Sequence, residues 1–327
     1  MRHLRQTITL FFLLFFVFHT LQAPLLEQRS VTSRYIETVF RLRRPFIRPL
    51  TDQNIARYFA QREAINNEPV TPPRTLRHRV EIQSFETLDA FYFPVENEAS
   101  FVVIYVHGGS YVNPPSALHF NYLNTLSNHL EAPIYLPLYP RAPNHTVEEA
   151  LPALSAFFET VGARHAEQSI VLMGDSAGAS LALALTLEHA KQGKILPSQL
   201  IMISPWLNLA LDHPEVNEKR RLDPVLNPDA ALYLGDAWRG TLPRSHPWVS
   251  PMRGDISVLT MPMLLLMGSY DVLLPDARVF YEEANTLGLT LELSITDRML
   301  HVYPLFPFMR EARVTLENII GFIKEGT

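Results

Sequence analysis

The sequence contains no cysteine. A disulfide scaffold, a thiolate-bound zinc site, a haem attachment motif and a cysteine nucleophile are therefore excluded. A basic excess is also missing, because 28 Lys plus Arg stand against 33 Asp plus Glu, for a formal net charge of -5. Such a chain has no surplus cation with which to neutralise a phosphate backbone, so nucleic acid is not an expected partner. Glycine is sparse, with 13 in 327 residues, so a motif that needs two of them at a fixed spacing rarely arises by chance. There is no internal repeat and no low-complexity tract.

What is present is a long, apolar chain, 47% hydrophobic. A chain of that length buries roughly 75% of its unfolded surface, as one large domain or one domain with a small cap. Arg2, His3 and Arg5 precede an apolar run from Ile8 to Phe18 that continues, interrupted at His19 and Gln22, to Leu26. Residues 1–26 read as a membrane anchor or signal segment. Cleavage after Ala23 would place Leu21 at the -3 position and Pro24 just beyond the cut, which favours an uncleaved anchor over an exported chain. Arg29, Arg34, Arg41, Arg43 and Arg44 follow the run, and Tyr35, Val39 and Leu42 sit among them at helical spacing. That pattern predicts an amphipathic helix, folded onto the domain or lying on a lipid surface.

A helical region is expected over about 30–68, then a hairpin from Arg79–Ser84 and Ala90–Pro94. Beyond it, Phe101–Val106, Ile134–Leu138, Ser169–Met173, Leu200–Ile203 and Pro262–Met267 are apolar without alternation, as parallel strands covered on both faces would be. Leu289–Ile295 adds a sixth. Val147, Leu151, Leu154, Phe158 and Val161 form one helical stripe, and Ala177–His189 is rich in helix formers. Alternating strands and helices predict an α/β fold, a mostly parallel sheet with helices on both faces. The main domain would span 78–327, with residues 27–77 and an insertion at about 212–246 contributing a small helical cap.

The sharpest chemical signal is Gly174-Asp175-Ser176-Ala177-Gly178, directly after an apolar strand and directly before a helix. A strand turning abruptly into a helix strains the backbone at the central serine, and the small flanking residues let the turn close with its Oγ exposed. A second signal, His107-Gly108-Gly109-Ser110-Tyr111, ends another strand. Backbone amides of Gly108 and Gly109, with that of Ala177, are the expected oxyanion donors. The order Ser, acid, His leaves His301 as the histidine beyond the acid. Asp271, at the end of the strand Pro262–Met267, is the acid. Asp276 reads better as a residue opening the next helix, and Asp297 as a loop neighbour of His301. The seven histidines His119, His129, His145, His165, His189, His213 and His246 precede the acid and read as surface or core. At Asn144-His145-Thr146, Asn144 or Thr146 is the expected helix cap. No metal or cofactor is called for.

His107–Tyr111, Leu138–Pro143, Gly174–Gly178, Ile203–Leu209 and Gly268–Asp271 together resemble the ordered motifs of the hormone-sensitive-lipase-like branch of the α/β-hydrolases, over residues from about 78 onward. The resemblance implies the α/β-hydrolase fold and carboxylic ester hydrolysis through an acyl-enzyme on Ser176, Asp271 and His301. Two departures stand out. Ser110 occupies the place of a usual third glycine, which leaves open which two amides of Gly108, Gly109 and Ser110 donate, with Gly108 and Gly109 the expected pair, and Arg298 and Val302 stand where glycines often flank the histidine. The expected partner is a small-molecule ester with an apolar, short to medium acyl group. An amide or formamide on the same triad is the alternative. A non-catalytic ligand-binding receptor is a further rival, and retention of all three triad residues argues against it.

Overall fold

The computed structural model describes residues 29–43, 50–77, 79–96 and 99–326. The expected membrane segment lies outside these residues, and among the described residues no helix is long and apolar enough to cross a membrane. Eight strands form one sheet: β1 (Glu81–Ser84), β2 (Asp89–Phe93), β3 (Phe101–Val106), β4 (Ile134–Pro137), β5 (Ser169–Asp175), β6 (Gln199–Ile203), β7 (Met263–Gly268) and β8 (Leu291–Thr296). Their spatial order is β1-β2-β4-β3-β5-β6-β7-β8. The β1–β2 hairpin and the β2–β4 pair are antiparallel, and every pair from β4 onward is parallel. This is the doubly covered α/β sheet expected from the unbroken apolar runs.

The reason for those runs is visible in β3, every residue of which is buried. Successive side chains of a strand point to opposite faces. Val102, Ile104 and Val106 enter one core, while Val103 and Tyr105 enter the other. The second core is closed by α3 (Ala117–Leu130) and α9 (Arg310–Glu325); the first by α4 (Val147–Arg164), α5 (Ser176–Gln192) and α8 (Leu274–Thr286). Thr146 caps α4, its amide donating to Glu149 Oε2 at 3.1 Å. Asn144 instead donates to Asn67 Oδ1.

The region expected as one helical stretch over 30–68 contains two separate helices, α1 (Val31–Arg43) and α2 (Ile55–Asn66). Of the two placements open to α1, the structure has it folded onto the domain. The Ser30 hydroxyl donates to Glu311 Oε2 at 2.6 Å, and Phe40 meets Phe306 edge-on with ring centroids 5.9 Å apart. Tyr35 and Leu42 face outward. The insertion between β6 and β7 carries α6 (Val216–Leu222) and α7 (Pro228–Trp238). The Asn227 side chain accepts the Asp229 and Ala230 amides and starts α7. The fully buried Trp238 at the end of α7 stacks on Tyr111, centroids 4.5 Å apart and rings nearly parallel. The insertion is thereby fastened to the loop after β3.

Asp276 does open a helix, lying in the first turn of α8, but it does so buried. Burial pushes its carboxyl up to about 6, against the opposing hydrogen bond from Asn208. That lies above the value of about 3.9 in an unfolded chain. The ionised native carboxylate therefore costs stability, and the cost builds between about pH 4 and 6. Asp276→Asn is expected to raise unfolding free energy by about 1–3 kcal/mol at pH 8, with the gain fading toward pH 4. Urea denaturation at the two pH values checks this; an equal effect at both would contradict it.

Candidate active site

β5 runs straight into α5, and the first helical residue, Ser176, sits in the left-handed region at φ 50°. A side chain there is strained, and the surrounding packing must hold it. Gly178 explains part of the motif: a Cβ at that position would overlap the carbonyl oxygens of Val106 and His107 at the end of β3. The strand end and the helix start can approach only without it.

The sheet edge brings the other two expected residues to Ser176. His301 follows β8, and its Nε2 stands 2.9 Å from Ser176 Oγ. Its Nδ1 donates to Asp271 Oδ2 at 2.9 Å. Asp271 lies just beyond the end of β7, and its Oδ1 accepts the Leu273 amide at 2.9 Å. Both Asp271 and His301 are buried. Asp276 points elsewhere, to Asn208, and Asp297 accepts from the Ser269 hydroxyl.

The two departures from glycine around the histidine acquire a physical meaning here. Arg298 has φ 54° and Val302 φ 49°, the region where glycine costs nothing and other residues are strained. Hydroxyls hold both turns in place. The Arg298 amide donates to Ser269 Oγ at 2.6 Å, and the Val302 amide to Ser204 Oγ at 3.0 Å. Ser110 has the same character at φ 54°.

One expected oxyanion donor is corrected. The Gly108 amide donates to Asp175 Oδ1 at 2.8 Å, so it is already spent inside the protein. The Gly109 amide donates to no protein acceptor among the described residues. Its peptide orientation is held from the other side, because the Gly109 carbonyl accepts from the Asn113 backbone at 2.9 Å and from Asn113 Nδ2 at 3.0 Å. At φ 120°, this position suits only glycine. Ala177 is the second residue of α5, where helix amides have no acceptor one turn back.

The remaining motif residues build the frame. His107 is buried and stacked on Tyr139, centroids 4.5 Å apart. Burial, with His119 and Arg141 nearby, lowers its value to about 3 and keeps it neutral. Its Nδ1 donates to the Gly108 carbonyl at 2.7 Å, so its role is to shape the loop.

Asp175 gathers the Tyr105 hydroxyl at 2.9 Å, the Gly108 amide and His119 Nε2 at 3.2 Å. Burial alone would raise its carboxyl, but these partners outweigh burial and hold it below the ordinary range. His119, read from sequence only as surface or core, is thus part of the loop's support. The Ser116 amide donates to its Nδ1, leaving the Nε2 proton for Asp175.

Asp223 was not visible from sequence at all. It lies between α6 and α7 with no spacing signal, yet is fully buried beside the acid turn. Burial first, and then the charge of Asp271, push it up to about 6. As for metals, among the described residues no cluster of three or more His, Asp or Glu is arranged to hold an ion.

A family model described as the alpha/beta hydrolase fold matches residues 103–305, a range that includes Ser176, Asp271 and His301. The chain belongs to the α/β-hydrolase family. It is 26% identical over 283 residues to an esterase of Acinetobacter venetianus, covering 84% of this chain and 87% of that one. It is 29% identical over 228 residues to an acetyl-hydrolase of Streptomyces hygroscopicus, covering 69% and 76%. The crystal structure of a hormone-sensitive lipase from a metagenome library superposes with a TM-score of 0.78 at 22% identity, covering 92% of this chain and 99% of that one. These likenesses agree with the branch that the motifs resemble.

His301 sits among opposing electrostatic influences. Burial would lower it, but the charge and hydrogen bond of Asp271, with Asp223 and Asp175 behind, outweigh burial and hold it above its ordinary value. A base must be neutral to act, so activity should rise with pH along an ionisation whose midpoint lies above the unperturbed value of about 6.5. The pH dependence of kcat/KM on p-nitrophenyl acetate measures this directly, and a midpoint below 6.5 would contradict the geometry described.

Proposed function

We propose that this protein hydrolyses carboxylic esters through a covalent acyl-enzyme on Ser176. The observation that carries the reading is the unbroken line Ser176 Oγ, His301, Asp271, with both links at 2.9 Å. Ser176 Oγ attacks the ester carbonyl carbon while His301 Nε2 takes its proton. Asp271 keeps Nδ1 protonated and stabilises the imidazolium. The tetrahedral oxygen is received by the Gly109 and Ala177 amides. Collapse of the intermediate breaks the bond to the alcohol oxygen, which leaves with the proton from His301. Water then attacks the acyl-enzyme, giving its proton to His301 in turn, and Ser176 is regenerated. The name of one similar protein, an esterase, supports an ester over an amide. The name of another, an acetyl-hydrolase, favours the short end of a short to medium acyl range, as do the large aromatic side chains of Tyr111, Trp206 and Trp238 packed next to the oxyanion loop.

Ser176→Ala is expected to lower turnover of a p-nitrophenyl ester by about 10⁵ to 10⁶ and to abolish labelling by a fluorophosphonate probe. Asp271→Asn should cost about 10⁴, through the wrong imidazole tautomer. Probe labelling and activity surviving in the serine variant would overturn the mechanism.

We also propose that residues 1–26 anchor the protein at a membrane. The support is their composition alone: the apolar side chains between Ile8 and Leu26 favour insertion by about 0.3–0.6 kcal/mol each at a bilayer centre. The full-length protein should sediment with membranes and resist salt extraction, whereas a chain starting at Glu27 should remain in the supernatant and keep its rate on water-soluble esters. Equal partitioning of the two would remove the anchor.

A further inference from the structure

The acid turn of the triad is held from outside its own strand. Residues 268–274 carry Asp271, and two side chains of the insertion between β6 and β7 reach this turn. Lys219 of α6 donates from Nζ to the Ser269 carbonyl at 2.9 Å. Asp223, just past α6, accepts the Val272 amide on Oδ2 at 3.0 Å. The same carboxylate accepts the Val225 amide at 2.8 Å and the Leu226 amide at 3.0 Å on Oδ1. One side chain therefore stitches the start of the α6–α7 connection to the residue that follows the catalytic acid.

The arrangement reaches further, to α1. Arg41 donates from Nη2 to the Leu222 carbonyl at 2.8 Å, immediately before Asp223. Its guanidinium, like that of Arg29, stands about 6 Å from the ring of Tyr270, immediately before Asp271. Asp223 is fully buried, and a buried carboxylate with no task is costly to keep.

We propose that Asp223 is a positioning residue for the triad: its carboxylate fixes the turn that presents Asp271, and its charge joins that of Asp271 in stabilising the imidazolium of His301. The proposal rests on the triad reading given above. In this scheme the insertion and the catalytic acid are not separable parts. The α6–α7 connection must be seated before Asp271 is correctly aimed, and α1 holds that connection through Arg41. The charged groups facing Asp223 are Asp271 and His301 at the centre, with Lys219 and Arg41 engaged on the neighbouring carbonyls of Ser269 and Leu222.

Two consequences separate this from a merely structural role. Replacing the carboxylate by an amide leaves an oxygen for the Val225 and Leu226 amides but turns a donor toward the Val272 amide, so the turn loosens. It also removes one anion from the surroundings of His301. Asp223→Asn is therefore expected to lower kcat about 10- to 100-fold with KM little changed. The acid limb of the pH profile should move to lower pH by about 0.5 unit or more, since an anion that favours the imidazolium is gone. Asp223→Glu, which keeps the anion, should retain the wild-type midpoint while kcat falls.

The experiment is the pH profile of kcat and KM for the full-length protein and both variants on p-nitrophenyl acetate. Fluorophosphonate labelling of Ser176 runs alongside to count active sites. An unmoved midpoint in folded, fully labelled Asp223→Asn would overturn the proposal, and so would a kcat within about twofold of wild type. Failure of the wild-type protein itself to label at Ser176 would instead overturn the triad reading. Should Asp223→Asn not fold, native-state hydrogen exchange on the wild-type protein decides. The Val272, Val225 and Leu226 amides share one carboxylate and are expected to open together; Val272 exchanging independently of the other two would overturn the proposal.

Discussion

The structure turns on one imidazole that must make two hydrogen bonds at once. His301 links Ser176, at the start of α5, to Asp271, past the end of β7. Neither neighbour belongs to its own strand. β5, β6, β7 and β8 lie side by side and run parallel, so their C-terminal ends form one edge from which three loops can converge. Parallel strands buried on both faces supply the rigidity: loops that hang from them inherit fixed origins. Even β6, which supplies none of the three linked residues, takes part, because Ser204 just after it holds the Val302 amide.

A second layer of buried polar groups keeps this edge in shape. Asp175 is the hub on one side, drawing the Gly108 amide, Tyr105 and His119 around the nucleophile turn. Asp223 does the corresponding work beside the acid turn. Both carboxylates are removed from water and both are satisfied by amides and side chains around them, the condition under which a buried polar network specifies one geometry. The loop after β3 illustrates how such a network selects among near-identical groups. Gly108 and Gly109 are chemically the same, but Asp175 occupies one amide and leaves the other.

The strands and helices were legible in the sequence because their signals are local. Unbroken apolar runs marked β3 through β7, and the turn chemistry around Ser176 needs only five consecutive residues. Asp271 and His301 were legible through chain order and strand ends. The break of the 30–68 region into two helices was overlooked, although Pro45 and Pro49 between them are helix breakers. Gly108 could not be distinguished from Gly109, because what separates them is an aspartate 67 residues downstream. Asp223 sat among the charges of the insertion, where only folding reveals which carboxylate is buried. His119 was hidden for the same reason: its partner is distant in the chain.

The left-handed residues around the site carry a consequence for how it tolerates change. Ser110, Arg298 and Val302 each hold a backbone shape that glycine would adopt without penalty. A glycine there would relieve strain in the native state, yet would also widen the range of shapes each turn can visit. By keeping side chains at Arg298 and Val302, on either side of His301, the chain accepts local strain in return for a narrower distribution of imidazole positions. Strain and precision are thus set against each other at the two residues that bracket the histidine, and relief of that strain alone would blur the aim of His301.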